Sequence, residues 1–266
     1  MAEIHKFNQP DQVDGARFFI EFLEAAEKLP MVKEVRDFIA DEIDARPGRR
    51  LLDVGCGLGT AALHLADRVG MEGHVCGVDI SESMVAEASR RANGRGNVEF
   101  RTGNVCSLPF PDRTFDGVRM ERVLLYVPDR KQALAELIRV TKPGGRIAIA
   151  DVDPEATAIH SSDPIRARRM MHLVCESIPN PASGRELWNL FVTAGLSDLA
   201  IYPMVVSTPF PFLSQAVKDS LYAAASAGKI ASAEVDAWFQ ELRDLNESGR
   251  FHAFWFHIIV IGRVPA

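Results

Sequence analysis

The sequence predicts an α/β protein: a doubly wound, mainly parallel sheet of seven strands whose last strand is antiparallel, with helical cap insertions. Three observations carry this. Short apolar segments alternate with amphipathic helical patterns from residue 50 to residue 151, the signature of strand, helix, strand units. The stretch LLDVGCGLGTAALHLA, residues 51 to 66, sets three glycines within five positions where the first strand ends and a helix begins. The final apolar run, FHAFWFHIIVIGR at residues 251 to 263, follows a long helical excursion instead of a single crossover helix, which allows it to run against its neighbour.

In chain order, residues 17 to 29 place Phe18, Phe22, Leu23, Ala26 and Leu29 on one helical face, and a second helix covers Val32 to Ala45 before the Pro47-Gly48 break. Residues 1–47 therefore read as an N-terminal helical lid. Strands follow at Arg50 to Val54, His74 to Ile80, Val98 to Thr102, Phe115 to Met120 and Arg146 to Asp151. The helix after the glycines buries Ala62, Leu65, Ala66 and Val69. Ser81 caps the next helix, with Met84, Val85 and Ala88 inward. A helix near residues 130 to 141 carries Leu134, Leu137 and Ile138 and stops at Lys142-Pro143-Gly144-Gly145. Residues 48–152 thus form a ligand-binding core, and ligands on such sheets collect at the carboxyl ends of the strands. Helices are expected at Ile165 to Ser177, at Arg185 to Ala194 and within residues 212 to 247, with a strand at Leu199 to Val206. Residues 153–183 and 208–248 read as cap insertions of a single 266-residue domain.

A hydrophobic content of 47% supports a substantial core, and a net charge of -6 spread over mixed acids and bases offers no basic stripe. The expectation is a small-molecule partner, no nucleic acid and no membrane, in a monomer or homodimer. No uncharged apolar run is long enough to span a bilayer, and MAEIHKFNQPDQ lacks the order of a secretion signal, so a cytoplasmic location is expected. Cys56, Cys76, Cys106 and Cys175 form no close metal-ligand pair, read first as buried free thiols, and lead to the expectation of no metal. Trp188, Phe191, Trp238 and Trp255 read as core.

The glycine bend is informative for what it lacks. A dinucleotide-binding loop favours GxGxxG and a P-loop carries GK followed by Ser or Thr, whereas this loop is GxGxG without a lysine. Asp53, two positions before Gly55, would repel a pyrophosphate and attract an ammonium or sulfonium. Asp79 ends the second strand, 24 residues beyond Gly55, at the usual spacing for an acid that accepts the hydroxyls of a ribose. An adenosine without phosphates, bearing a cationic amino-acid tail, fits both.

With these residues the chain resembles the class I S-adenosylmethionine-dependent methyltransferases, particularly the ubiquinone/menaquinone-type small-molecule branch. LLDVGCGLG is similar to the family's first motif and VCGVDISESMVAEA to its second; EFRTGNVCSLPFPDRTFDGVRMERVLLYVPD resembles the third and fourth, and LIRVTKPGGRIAIAD the fifth. The resemblance implies a Rossmann-like methyltransferase fold and S-adenosyl-L-methionine as cofactor, with S-adenosyl-L-homocysteine as product. It implies a cofactor site of Asp53, Gly55, Cys56, Gly57, Gly59, Asp79, Ile80, Met84, Gly103, Asn104, Val105 and Glu121. Two positions depart from the family: Asn104 stands where aspartate is frequent, keeping an acceptor and a donor for adenine, and Tyr126 stands where histidine is frequent.

Other candidates have competing readings. Glu121 and Arg122 end the fourth strand and either meet the ligands or pair with each other. His160 and His172, in the insertion after the fifth strand, are candidate general bases, since imidazole suits proton removal near neutral pH. Arg17, Phe18 and Phe19 either close over the cofactor or pack on the sheet. Arg166, Arg168 and Arg169 either meet an acidic substrate group or form a solvated face. Phe210, Phe212, Leu213, Leu221, Tyr222 and Trp238 suggest an apolar chamber, hence a hydrophobic metabolite, or pack together. The expected function is methyl transfer to an O, N or C nucleophile of a small metabolite. The alternatives are a cyclase-like catalyst that binds S-adenosylmethionine without methylating, and a non-catalytic cofactor-binding protein; a nicotinamide dehydrogenase is disfavoured by the glycine spacing and Asp53.

Overall fold

The computed structural model describes residue 11 and residues 16 to 266, excluding the side chains of residues 16, 18 and 30; the expectation for Phe18 lies outside that description. The expected strand and helix alternation is present as β1 (Arg50–Val54), α3 (Thr60–Val69), β2 (His74–Asp79), α4 (Glu82–Ala92), β3 (Val98–Thr102), β4 (Phe115–Glu121), α5 (Arg130–Val140) and β5 (Thr141–Val152). These strands are parallel in the order β3-β2-β1-β4-β5. A long final strand, β8 (Ala253–Arg263), runs antiparallel to β5 and is flanked on its other side by β7 (Ser197–Ser207).

Among the described residues the sheet has eight strands, one more than expected. The extra one, β6, is Ala158–Ile159 and pairs with Phe254 and Ala253, resuming on β8 where β5 leaves it at His257. Pairing of β5 also starts earlier than expected, at Thr141 opposite Phe115. The register then jumps to Gly117 opposite Arg146, so the Lys-Pro-Gly-Gly segment is an irregularity within the strand and not a loop before it.

Alternate residues of the strands feed two cores. Leu52, Val54, Val118 and Met120 pack with Leu134 and Leu137 of α5 and with Leu187 and Phe191 of α7 (Ser183–Thr193). Leu51, Ala148 and Ile259 face the opposite layer, where Val35 and Ile39 of α2 (Pro30–Glu42) meet Ala62 and Leu65 of α3. By the period of two along a strand, Asp53, Arg119, Glu121 and His257 belong to this α2 face.

A separate helical core stands over one end of the sheet. α1 (Ala16–Glu27), α6 (Pro164–Cys175), α8 (Phe210–Ser226) and α9 (Ser232–Glu247) bury Phe22, Met170, Leu213, Leu221 and Trp238 against one another. Phe212 stacks on Phe22 with centroids 5.1 Å apart. Arg166 and Arg169 of α6 pair with Glu241 and Glu234 of α9, so two of the three clustered arginines hold helices together. Among the described residues, no helix is long and apolar enough to cross a membrane.

Candidate functional site

A cavity of about 270 Å³ opens at the carboxyl ends of β1, β2 and β4, roofed by α1 and α2. Its floor is the glycine bend. Gly55 adopts φ 70°, and a Cβ there would lie 2.2 Å from Val123 Cγ2, so the loops after β1 and β4 touch only because this residue has no side chain. Gly59, at φ 78°, precedes α3, and its missing Cβ makes room for Phe100 and Ala88. Every residue assigned to the cofactor in the sequence lines the cavity except Gly59, whose requirement is helix-to-sheet packing.

Asp79 is held by its own loop. Its Oδ2 accepts the Gly57 amide at 2.8 Å and its Oδ1 the Ser81 amide at 3.0 Å, which leaves each oxygen a further lone pair. Burial raises its pKa and the two amides oppose that rise. Ile80, beside it, is 47% exposed at the cavity wall. On the following helix, Ser81 caps α4 by accepting the Met84 amide at 3.2 Å. Asp11 of the N-terminal segment accepts from Ser81 Oγ at 2.7 Å and from the Glu82 amide at 2.8 Å. Asn104 Oδ1 accepts the Cys106 amide at 2.8 Å, which fixes the plane of its side-chain amide in the loop after β3.

The sequence reading missed the residue that organises the tail end of the cavity. Arg119 is opposite Asp53 in the β1–β4 register, is 3% exposed, and donates from Nη1 to Asp53 Oδ1 at 3.0 Å and from Nη2 to Glu121. Asp53 Oδ2 is buried without a hydrogen-bond partner, whereas Glu121 Oε1, buried and likewise without a hydrogen bond, forms an ion pair with Arg122 Nε at 3.4 Å, so Glu121 and Arg122 do pair with each other. Burial pushes Asp53 up to about 6 even with Arg119 beside it. For Glu121, burial is outweighed by the charges of Arg122 and Arg119, which hold its carboxyl below the ordinary value. His257 lies close enough for its charge to act on Glu121, and burial drives that imidazole down to about 4. A basic residue in the middle of the apolar strand GVRME, two positions before an acid, was the available signal.

Two further charged side chains reach the cavity from the roof, Glu27 of α1 and Arg36 of α2. Arg122 occupies φ 57° and donates its amide to Ala150 O at 2.8 Å, a left-handed conformation that a non-glycine residue keeps only when its surroundings impose it. The loop that follows carries Tyr126 into the cavity wall and is anchored from behind. Asp151 Oδ2 accepts the Leu125 amide at 2.9 Å and the Ser183 hydroxyl at 2.7 Å, while Asn180 Nδ2 donates to Val127 O at 2.8 Å. Burial raises the Tyr126 phenol above its ordinary range and Asp151 to about 7.

Several sequence candidates fall elsewhere. His160 is exposed beside β8, and His172 is 74% exposed on α6 with Glu176 at 3.4 Å; neither lines the cavity, so neither candidate base is at the site. Both lie on the outer surface of the insertion, a placement that position along the chain does not reveal. Arg17 is 91% exposed and pairs with Glu21, while Phe19 is fully buried against Leu58 and Met84. Of the aromatic chamber expected from α8 and α9, none of Phe210, Phe212, Tyr222 or Trp238 lines the cavity, because these rings pack on each other and on Phe251, Trp255 and Phe239. The apolar wall comes instead from Phe22, Leu23, Val32, Val123 and Val127.

A family model described as a methyltransferase domain matches residues 45–195. The chain therefore belongs to the class I S-adenosylmethionine-dependent methyltransferases. Within that class it belongs to the quinone-type branch: it is 33% identical over 188 residues to a demethylmenaquinone methyltransferase of Bacillus pumilus, covering 64% of this chain and 80% of that one, and 46% identical over 112 residues to that of Geobacillus kaustophilus, 41% and 48% of the two chains. It is 33% identical over 164 residues to the O-methyltransferase resE of Aspergillus sclerotiorum, 60% of each chain. The chain spans about half the length of several of the curated relatives it matches. Among solved structures it is similar to the YcgJ protein of Bacillus subtilis, with a TM-score of 0.62 at 23% identity over 88% of this chain and 99% of that one. It is also similar to the [4+2]-cyclase SpnF, with a TM-score of 0.56 at 25% identity over 88% and 80% of the two chains.

Proposed function

We propose that this chain transfers a methyl group from S-adenosylmethionine to a small metabolite whose nucleophile is an acidic hydroxyl or a comparably stabilised anion. The observation that carries the reading is Asp53. Its Oδ2 is buried, unpartnered and beside the glycine bend, so the residues present fit a ligand bearing an ammonium. When bound, S-adenosylmethionine supplies an already activated methyl group, which reduces the protein's task to alignment, exclusion of water and control of one proton.

Each residue then has a part. Asp79, oriented by the Gly57 and Ser81 amides, accepts from the ribose hydroxyls. Asp53, bridged to Glu121 by Arg119, offers its open Oδ2 to the amino group of the tail. Arg36 supplies the cation for the tail carboxylate from the roof of the cavity. Ile80, Met84, Asn104 and Val105 frame the adenine. Among the described residues no histidine lines the cavity, the Tyr126 phenol is held protonated by burial, and Glu121 is held ionised. Among those residues a neutral alcohol would find no base matched to it, whereas a phenol or enol that ionises on its own would meet the guanidinium of Arg122, held by Glu121 at 3.4 Å.

The test is a screen of lipophilic phenols, quinone precursors and polyketide-like metabolites with labelled cofactor. The expected result is a product heavier by one methylene group, with one equivalent of S-adenosylhomocysteine. Cofactor turnover on no acidic hydroxyl, but on aliphatic alcohols or amines, would overturn the choice of acceptor. The likeness to a [4+2]-cyclase supports a second reading, a catalyst that keeps its cofactor intact. An isomerised product without S-adenosylhomocysteine would establish that one instead. A calorimetric titration without heat would point to a non-catalytic protein.

A further inference from the structure

At the opposite end of the sheet from the cavity, β2 and β3 bring together three side chains that methyl transfer does not use. Cys76 and Glu99 are register partners on these adjacent parallel strands, and His74 lies two residues before Cys76, on the same face. Cys76 Sγ is 3.0 Å from Glu99 Oε1, and His74 Nε2 is 3.5 Å from that same oxygen. One donor atom from each of the three residues lies within 4.8 Å of the other two. We propose that His74, Cys76 and Glu99 form a three-ligand site for a borderline divalent cation such as zinc, with the fourth position open to water.

The donor set and spacing suit that ion. Zinc takes imidazole, thiolate and carboxylate at about 2.0 to 2.3 Å in a tetrahedron, so ligand atoms stand roughly 3.3 to 3.7 Å apart. Of the measured edges, that of 3.5 Å lies within the range and that of 3.0 Å just below it, and the third is no longer than 4.8 Å, so small side-chain rotations close the set on an ion. Cys76 is fully buried, while the side chains of His74 and Glu99 are each 34% exposed, which gives the ion a route in and a solvent-facing position.

Burial and the neighbouring Glu99 push the free thiol up to about 12, so it stays protonated without a metal. On binding, the S–H bond is replaced by an S–metal bond and the proton leaves to solvent. The site charge of the ion, one thiolate, one carboxylate and a neutral imidazole is then zero. Two guanidinium groups lie near, yet both are laid over aromatic rings: Arg50 on Phe115 at 5.7 Å and Arg101 on Phe110 at 5.5 Å. Arg101 Nη2 also donates to both Glu99 oxygens, to Oε1 at 3.0 Å and to Oε2 at 3.1 Å; a metal on Oε1 displaces the first contact, and the second remains to orient the ligand. Cys76 lies three positions before Asp79, about 10 Å along the strand and on the opposite face of the sheet, so the ion would take no part at the cavity. β3 is the sheet's outer strand and leads into the loop carrying Asn104; a metal would staple it to β2.

The test uses the full chain, stripped of metal with a chelator and titrated with cobalt(II) and then with zinc against a fluorescent zinc chelator. The expected result is one equivalent bound, a thiolate-to-cobalt charge-transfer band that zinc abolishes, and release of a proton. Cys76→Ser should remove the band, and His74→Gln, at a partly exposed position that leaves the core intact, should weaken zinc binding at least about tenfold. No charge-transfer band with cobalt, or zinc affinity unchanged in His74→Gln, would overturn the proposal. Affinity for S-adenosylhomocysteine should be the same in both variants, which keeps this test independent of the cavity's assignment.

Discussion

Asp53 allows the account of the cavity to be tested by pH alone. Burial sets its carboxyl at about 6, and only the ionised form pairs with the ammonium of the cofactor tail. At pH 7 about nine tenths of the free protein carries the anion and at pH 5 about one tenth, so affinity should fall about tenfold between them. The sign is fixed. Ligand binding lowers this pKa, so protons are released on binding near pH 6 and affinity rises with pH until the group is fully ionised. Asp53→Asn removes the titration along with one charge-assisted contact worth about 1.5 to 3 kcal/mol, or roughly ten- to a hundredfold in affinity. The assay is calorimetry with S-adenosylhomocysteine, run from pH 5 to 7 in two buffers of different ionisation enthalpy. The wild type should lose affinity toward pH 5 while the Asn variant binds weakly with a flatter profile. Equal slopes in the two proteins would refute the reasoning, because the titrating group would then lie elsewhere.

Other expectations follow from the same geometry. Asp79→Ala removes the acceptor for both ribose hydroxyls and should weaken S-adenosylhomocysteine by about a hundredfold, from two charge-assisted bonds of about 1.5 kcal/mol each; a thermal unfolding curve guards against collapse of the loop, since the Gly57 and Ser81 amides lose their partner as well. Gly59→Ala places a Cβ 2.7 Å from Phe100 and 2.9 Å from Ala88 at φ 78°. It should cost roughly 2 to 5 kcal/mol of stability in a urea titration, while the folded variant keeps its ligand affinity. His257 is depressed to about 4 from an ordinary 6.5, so the unfolded chain binds its proton first as pH falls. Its contribution to stability is present above pH 6.5 and lost toward pH 4, by about 3 kcal/mol at most. His257→Asn should therefore flatten the pH dependence of unfolding across that window, and an unchanged slope would contradict the assignment.

How much of this was legible in the sequence depends on which interactions are local. The glycine bend, the Ser81 cap and the acids at the tips of β1 and β2 are set by neighbours along the chain, so periodicity and spacing located them. Arg119 became meaningful only with the β1–β4 register, because its partner Asp53 is 66 residues away in sequence. Arg36 and Glu27 reach the cavity by the docking of α1 and α2 over the strand ends, a tertiary placement with no periodic trace. The aromatic residues of α8 and α9 show the limit of composition as a guide. The same rings serve a chamber or a helical core equally well, and here mutual stacking determined the outcome. The histidines of the insertion failed likewise: His172 falls on the exposed face of α6, and His160 lies in the exposed segment after β6.

The most direct measurement compares two ligands on the unaltered protein: S-adenosylhomocysteine and adenosine diphosphate, titrated calorimetrically at the same pH and ionic strength. Asp53 and Asp79 beside the glycine bend, where the described lining has no lysine and Arg119 is already held by Asp53 and Glu121, should admit the first and reject the diphosphate by about a hundredfold or more, from a few kcal/mol of like-charge repulsion. Comparable affinity for the diphosphate would mean that the glycine bend cradles phosphates and that the acids at the strand tips do not select its ligand.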